Sequence, residues 1–139
     1  MSKTQSDKII LRGGYVQDEL IAEETINPGY IVKRTPAGVA IADPASTQAL
    51  VAVEMSDTGK SITDSYSTGD QTIVASMNKG SQVQLKIAAG AGAITLGDKL
   101  EVTAGGTVVL AFGAPIAVAL QSVDNSAGTG EVFINAEVL

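Results

Sequence analysis

Residues 54–61, Glu-Met-Ser-Asp-Thr-Gly-Lys-Ser, hold the most chemically suggestive side chains of the sequence. Gly59-Lys60-Ser61 matches the end of the phosphate-binding loop G-x-x-x-x-G-K-[ST] and follows a predicted strand. Glu54 stands where that loop needs its first glycine, and its carboxylate would repel a phosphate held by backbone N–H groups. The residues after Ser61 also have low helix propensity, so no helix N-terminus would face the phosphate. The segment therefore does not predict nucleotide binding.

The triplet Asp57-Thr58-Gly59 also occurs at the active site of aspartic proteases. Those enzymes need two carboxylates that share one proton. Lys60 follows the triplet here, and a cation beside such a pair would lower a carboxylate pKa and disrupt the shared proton. We interpret Asp57 as the first residue of a turn in a polar loop. It is the one candidate for an enzymatic role.

The composition excludes most other catalytic and metal-binding designs. The 139 residues contain no Cys and no His, which rules out Ser-His, Cys-His and His-zinc sites within the chain. The other acidic residues lack the spacing of a calcium loop, and we interpret four of them, which are scattered near Gly or Ser, as turn formers. These are Asp64, Asp70, Asp98 and Asp124. The sequence predicts no catalytic residue, no cofactor and no metal.

The net charge of −6 is unevenly distributed along the chain. Residues 1–14 carry three basic residues and one acidic residue, whereas the remainder carries six and fourteen. An acidic body with few cations does not predict a nucleic-acid partner. No stretch approaches the ~18 apolar residues of a membrane span, and the N-terminus has no apolar signal region. We therefore expect no membrane association and synthesis in a cytoplasm.

The elements that position these residues are predicted to be β-strands built around an internal repeat. Residues 26–41 and 94–109 share Ile, Gly, Thr and Gly at the same places, and each copy leads into an Ala/Val-rich run, at 49–53 and 116–120. Short strands every ~8–12 residues, separated by Gly and Pro, indicate a β-sandwich or β-barrel. We predict a mainly β, compact sandwich or barrel with an internal turn-strand repeat and an extended N-terminal arm. Residues 1–14 would form the flexible arm, and residues 15–139 a single β domain.

Several segments carry local predictions. Pro28-Gly29 predicts a type II turn, and Asp43-Pro44 could begin one helical turn. Residues 15–24 are ambiguous, since their acidic side chains suit either a solvent-facing surface or a short helical turn. Residues 56–70 predict a long surface loop.

A β-hairpin is predicted from residues 72–77 and 81–87 around the turn Asn78-Lys79-Gly80. The second strand alternates strictly between apolar and polar residues. Its alternation predicts an inward face of Val83, Leu85 and Ile87 and an outward face of Gln82, Gln84 and Lys86.

Together these features resemble the small capsid decoration proteins of tailed bacteriophages, also called cement or auxiliary head proteins. The resemblance is carried by the polar arm, the Pro-Gly-x-x-Val…Thr-x-x-Gly-x-Ala unit at 28–40 and the Ala-Leu-Val-Ala-Val strand at 49–53. The small-residue second copy and the closing strand extend it over most of the chain. It implies a non-enzymatic protein on the virion surface that binds the major capsid protein, commonly as a homotrimer, and clamps neighbouring capsid subunits together.

Capsid contact is expected on the arm, because a mobile apolar segment can extend across a neighbouring protein. The expected contact residues there are Ile9, Ile10, Leu11 and Arg12. The basic pair Lys33-Arg34 on a predicted strand edge is a further candidate. We expect deletion of residues 1–14 to leave a folded protein that no longer binds capsids. A head-fibre base or a receptor- or carbohydrate-binding module stays open as an alternative, although few aromatic residues are present to stack on sugars.

Overall fold

The computed structural model describes residues 7–43 and 50–139, and within these ranges it confirms the mainly β fold class. The strands are β1 Ile10–Arg12, β2 Tyr15–Ile21, β3 Val32–Thr35, β4 Gly38–Ile41, β5 Leu50–Ala52, β6 Gln71–Met77, β7 Gln82–Ile87, β8 Ala93–Ile94, β9 Lys99–Val102, β10 Val108–Leu110, β11 Ala117–Ala119, β12 Val123–Asp124 and β13 Val132–Val138. One 3₁₀ turn covers Ser56–Thr58. The helical turn predicted at Asp43-Pro44 and the predicted strand start at Ala49 fall on or next to residues outside the described ranges. No helix in the described part of the chain is long and apolar enough to cross a membrane.

The second half of the chain, residues 82–138, closes into a five-stranded barrel. Its strands follow the order β7-β10-β9-β11-β13, and β13 pairs with β7 to complete the circuit. The pairing of β10 with β7 is parallel at Val108 and Ile87, and the other pairings are antiparallel. Closure leaves the barrel strands few open edges. The interior is aliphatic, with Leu85, Leu100 and Ile134 almost fully buried.

The first half, residues 15–77, repeats the same order of neighbours. Strands β2-β6-β5 form a three-stranded sheet, and β3 and β4 form a hairpin. Two isolated bridges join the hairpin to the sheet, one between Ile31 and Val51 and one, parallel, between Ala22 and Val39. In both halves the first strand therefore pairs with the last along its length and meets the third in parallel at its end. The contact between Ile31 and Val51 is a single bridge, whereas the corresponding strands β9 and β11 form a two-residue ladder.

The sequence repeat has a direct backbone counterpart. Gly29 and Gly97 occupy the third position of two matching turns with φ of 92° and 93°, which fits the predicted type II geometry. Each glycine N–H donates to an alanine carbonyl in the Ala/Val-rich run of its copy. Gly29 donates to Ala52 O and Gly97 to Ala119 O, both at 2.9 Å. The repeat is thus a turn, a hairpin and a returning strand in both halves.

The two hairpins of the repeat differ in register. Val32 pairs with Ile41 in the first copy, whereas Leu100 pairs with Leu110 in the second. The second loop is therefore one residue longer, and Val109, which aligns with Ile41 in sequence, is shifted from the corresponding place. An ungapped comparison of the two copies cannot show this extra residue.

The hairpin predicted from residues 72–77 and 81–87 is wrong. The turn itself forms, since Ser81 N–H donates to Asn78 O over 3.1 Å and Gly80 has φ of 87°. However, β6 pairs with β2 on one edge and β5 on the other, whereas β7 pairs with β13 and β1. With both edges of β6 occupied, β7 has no edge to join, so the turn connects the two halves.

Two further local predictions are settled by the structure. The sequence leaves residues 15–24 open between a solvent-facing surface and a short helical turn, and Tyr15–Ile21 form the strand β2 with mostly exposed side chains, which fits the first alternative. Gln84, predicted on an outward face, is fully buried, and its side-chain amide donates to Lys8 O over 2.7 Å. β7 therefore has buried residues on both faces at this point, where the alternation predicted only one.

The apolar part of the predicted arm packs against the chain itself. Ile9 is fully buried, its N–H donates to the Glu54 carboxylate over 3.2 Å, and its carbonyl accepts the Gln84 N–H at 2.7 Å. β1 adds to β7 in antiparallel pairing. Deletion of residues 1–14 would remove a core side chain as well as any partner contact, so it does not test the two separately.

We predict that Ile9→Ala lowers the free energy of unfolding by about 2–5 kcal/mol, because it leaves a cavity in the core. Urea unfolding followed by circular dichroism measures this. Leu96→Ala is the control, since Leu96 is 65% exposed and its truncation should cost less than about 0.5 kcal/mol. An Ile9→Ala protein as stable as the wild type would contradict the buried position of Ile9.

Candidate functional site: an exposed apolar rim

The loop that contained the two apparent motifs is arranged for structure. Ser56–Thr58 form a 3₁₀ turn that ends at Gly59, which has φ of 78°. The N–H groups of Gly59 and Lys60 donate to Ser56 O and Met55 O, so they do not point into a phosphate cradle. Asp57 is exposed at the surface. The loop offers neither a phosphate site nor a paired aspartate.

The acidic residues interpreted as turn formers do accept hydrogen bonds from nearby backbone. The acceptor–donor pairs are Asp64 with Ser61 at 2.7 Å, Asp70 with Ser67 at 2.8 Å, Asp98 with Thr95 at 2.8 Å and Asp124 with Ser126 at 2.9 Å. Hydrogen bonds from Ser61 lower the pKa of the Asp64 carboxyl, and those from Ser126 lower that of Asp124. Among the described residues, no three metal-ligating side chains lie close enough to hold an ion.

Residues 56–70 form the predicted surface loop, and two of its side chains anchor it. Ile62 and Tyr66 are buried, and Tyr66 exchanges two backbone hydrogen bonds with Ile26. The Tyr66 hydroxyl donates to Val53 O at 2.5 Å, and burial raises its pKa to about 12. A cleft of about 390 Å³ lies beside the loop. Because Asp64 in its lining is committed to a turn, we assign the cleft no chemistry.

The residues predicted to contact a partner are not gathered on one surface. Ile9 is buried and cannot make the predicted contact in this conformation. Ile10 and Leu11 are partly buried, and Arg12 is exposed at the end of β1. On β3, Lys33 pairs with Asp43 at 3.0 Å and Arg34 with Asp18 at 3.2 Å. These exposed ion pairs are each weak, and a contact role stays a prediction for Ile10, Leu11, Arg12, Lys33 and Arg34.

An exposed apolar rim lies at one end of the five-stranded barrel, a surface that was not predicted from the sequence. It comprises Leu110, Phe112 and Leu139, which are 38%, 89% and 43% exposed. Backbone hydrogen bonds place their segments side by side: Ala111 N–H donates to Lys99 O, Ile116 N–H to Leu100 O and Leu139 N–H to Ile116 O. Contiguous apolar patches on a protein surface mark contact sites, and Phe112 is the most exposed large apolar side chain in the described part of the chain.

The Phe112 loop is held by one carboxylate. Glu101 accepts the Phe112 N–H at 2.8 Å through Oε1 and the Ala114 N–H at 3.2 Å through Oε2. These backbone donors lower the pKa of Glu101, so the carboxyl is ionised and able to accept both bonds at neutral pH. Phe112 is therefore displayed on a preformed loop, which reduces the entropy lost when a partner binds it.

A faint signal for this rim exists in the sequence. Phe112 is one of two Phe in the chain and stands in the small-residue segment Ala-Phe-Gly-Ala-Pro at 111–115. A bulky apolar residue in a turn segment, where no strand period would bury it, indicates exposure.

Comparison with known proteins shows that this fold is similar to that of a solved phage protein. The chain is similar to the crystal structure of the N base of the head fibre gp8.5 of bacteriophage phi29, with a TM-score of 0.58 and 15% sequence identity. The match covers 91% of this chain and 95% of that one. At this identity the likeness shows a shared fold. No protein-family model and no curated protein matches the sequence.

We predict that Glu101→Gln speeds amide hydrogen exchange at Phe112 and Ala114 by up to about tenfold, because an amide side chain has only one oxygen acceptor. Exchange measured by NMR tests this, with Glu137→Gln on β13 as the control. Because the pKa of Glu101 is lowered in the folded protein, its carboxylate holds the loop at pH values above the ordinary Glu pKa. It releases the loop as the pH falls through the lowered pKa. Unchanged exchange in Glu101→Gln would show that Glu101 does not hold the loop.

Proposed function

We propose that this chain is a structural protein of a bacteriophage head that binds the outer surface of the capsid, with the major capsid protein as its partner. The likeness to a head-fibre base, which extends over nearly the whole of both chains, carries the proposal. The sequence resemblance to capsid decoration proteins supports it independently, because it rests on residue pattern. Both point to a protein located on the virion.

The proposed role is non-enzymatic. Asp57 is exposed in a 3₁₀ turn whose backbone donors bond within the turn. The acidic side chains that could otherwise attract a substrate or metal serve as turn acceptors. Binding through shape and apolar contact suits a chain without His or Cys.

The apolar rim is the surface that we assign to capsid contact. Binding energy at protein interfaces is concentrated in a few buried side chains, and aromatic residues are enriched among them. Two hydrogen bonds from the Phe112 loop to the Glu101 carboxylate hold Phe112 in place for such a contact. Burial of Leu110 and Leu139 around it would exclude water from the contact.

We predict that Phe112→Ser weakens binding to purified capsids that lack this protein by about thirtyfold, the effect of losing one interface hot spot. Co-sedimentation with increasing protein concentration gives the affinity. Leu96→Ser is the matched control, since it also removes a large exposed apolar side chain, and it should bind like the wild type. Equal binding by both variants would remove the apolar rim from the contact, and absence of wild-type binding would overturn the proposed function.

Two roles fit such a protein, and they differ in what they do to the capsid. A cement protein clamps neighbouring subunits as a homotrimer, and its binding must raise the free energy of separating them. A fibre base, which is what the similar phi29 structure is, only needs to attach to the capsid.

We predict for the cement role that saturating protein raises the thermal midpoint of capsid disruption, measured by calorimetry. Native mass measurement should then give three times the 14.1 kDa of one chain. Capsid binding without a rise in the midpoint would contradict the cement role and support a fibre base.

A further inference from the structure

One edge of β7 is completed by three different parts of the chain. The Gln84 N–H donates to Ile9 O at 2.7 Å, the Lys86 N–H to Gly29 O at 3.2 Å and the Ala88 N–H to Val108 O at 3.3 Å. The Gln84 side chain adds a hydrogen bond to Lys8 O. The segment Lys-Ile-Ile-Leu-Arg at 8–12 thus adds to β7 as an extra strand, fastened through both the backbone and the side chain of Gln84.

β2 is the counterpart of β7 in the first half. Each is the first strand of its half, pairs along its length with the last strand of that half, and ends beside the third strand in a parallel contact. In the register set by these parallel contacts, where Ala22 corresponds to Ile87, Glu19 corresponds to Gln84. The edge of β2 that faces away from β6 therefore corresponds to the edge of β7 that receives residues 8–12.

The corresponding edge of β2 is open. Asn78 N–H donates to Gly14 O and Ala22 N–H to Asp70 O, so the even-numbered residues turn their backbone groups toward β6. Tyr15, Gln17 and Glu19 then turn theirs away from it. Within residues 7–43 and 50–139, no backbone carbonyl accepts their N–H groups, and Glu19 N–H instead donates to the Asp18 carboxylate at 2.8 Å.

The side chains of β2 are also left exposed. Tyr15, Val16 and Ile21 are 42%, 66% and 47% exposed. A seven-residue strand with apolar side chains and an open edge is a template for addition of another strand. Natural sheets usually block such an edge with Lys, Pro or a bulge, and β2 contains neither Lys nor Pro.

The charge on β2 selects among occupants. Asp18 pairs with Arg34 at 3.2 Å. Among the residues that the structure describes, the Glu19 carboxylate is bonded only by the neutral Gln71 amide, at 2.8 Å, so no cation there compensates its charge. Antiparallel pairing with β2 of a second copy would place these acids close to one another, which is unfavourable. A partner strand with Lys or Arg at these positions would be attracted instead.

We propose that the open edge of β2 binds an extended segment of a partner protein, with apolar residues flanked by Lys or Arg, as an added strand. Gln17 lies on the same edge, two residues from the counterpart of Gln84, and would donate its N–H and its side-chain amide to carbonyls of the segment. Glu19 would face a cation of the segment. This site is separate from the apolar rim and does not depend on capsid binding.

The test uses a fluorescent peptide with the sequence of residues 7–13, Asp-Lys-Ile-Ile-Leu-Arg-Gly, titrated with the full chain and followed by anisotropy. A second peptide is N-methylated at every amide from Lys8 to Arg12, so it can donate backbone hydrogen bonds from neither edge. Gln17→Pro removes an outward N–H without removing a bond to β6. Glu19→Lys reverses the uncompensated charge, and Glu137→Lys on β13 is the matched charge control.

The expected result is binding of the plain peptide alone, loss of binding in Gln17→Pro, about tenfold weaker binding in Glu19→Lys and little change in Glu137→Lys. Absence of wild-type binding at about 1 mM would overturn the proposal. Equal binding of the N-methylated peptide would also overturn it. This comparison uses the wild-type chain and so does not depend on how the variants fold. Binding that survives both β2 changes would indicate exchange with residues 8–12 on β7, and a dimer lost in Gln17→Pro would indicate a second copy as the occupant. Either outcome contradicts a basic partner strand.

Discussion

The backbone pairing along one edge of β7 is the constraint on which the rest of the structure depends. β7 is buried at Val83, Gln84 and Leu85, and buried N–H groups must find acceptors. Its edge donors meet this need with carbonyls of Ile9, Gly29 and Val108, which belong to the N-terminal segment, the first half and the second half. Hydrogen bonding along this one edge therefore places three distant parts of the sequence next to β7. The internal repeat contributes to this pairing through Gly29. Its carbonyl accepts the Lys86 N–H, and its own N–H donates to Ala52 O on β5.

The junction of the two halves shows why the repeat uses glycine. A Cβ on Gly29 would lie 2.8 Å from the Phe133 ring, and one on Gly106 would lie 2.9 Å from Ile31 O. Both glycines also have positive φ, so the backbone itself excludes most side chains there. Across the same junction, the Tyr30 hydroxyl donates to the Glu131 carboxylate at 2.7 Å, and burial together with Glu131 raises the Tyr30 pKa to about 12. The tyrosine therefore stays protonated, and able to donate this bond, well above neutral pH.

The parts of the fold that follow from local chemistry could be predicted from sequence, and the parts that depend on distant partners could not. Pro28-Gly29 specifies its turn, and Asp64, Asp70, Asp98 and Asp124 bond to backbone within a few residues. In contrast, a turn at Asn78-Lys79-Gly80 is compatible with a hairpin, and only the capture of β6 by β2 and β5 prevents one. Gln84 alternates like a surface residue, because its acceptor at Lys8 is far away in sequence. The apolar rim escaped prediction for the same reason, since the exposure of Phe112 depends on Glu101, which binds its loop from another strand.

The two halves have the same order of strands but differ in which strand edges stay open. The second half has a closed barrel whose first strand is completed by residues 8–12, and its most exposed large apolar side chain, Phe112, lies on the rim. The first half is closed by single bridges, and its corresponding strand keeps an acidic, partly apolar edge. An open edge and an exposed Phe both increase the risk of aggregation. Turn chemistry does not require either of them, because neither Gln17 nor Phe112 stabilises a turn through its side chain. Their presence on opposite halves of one duplicated scaffold is consistent with a protein whose function is to hold other proteins by their backbones and apolar side chains.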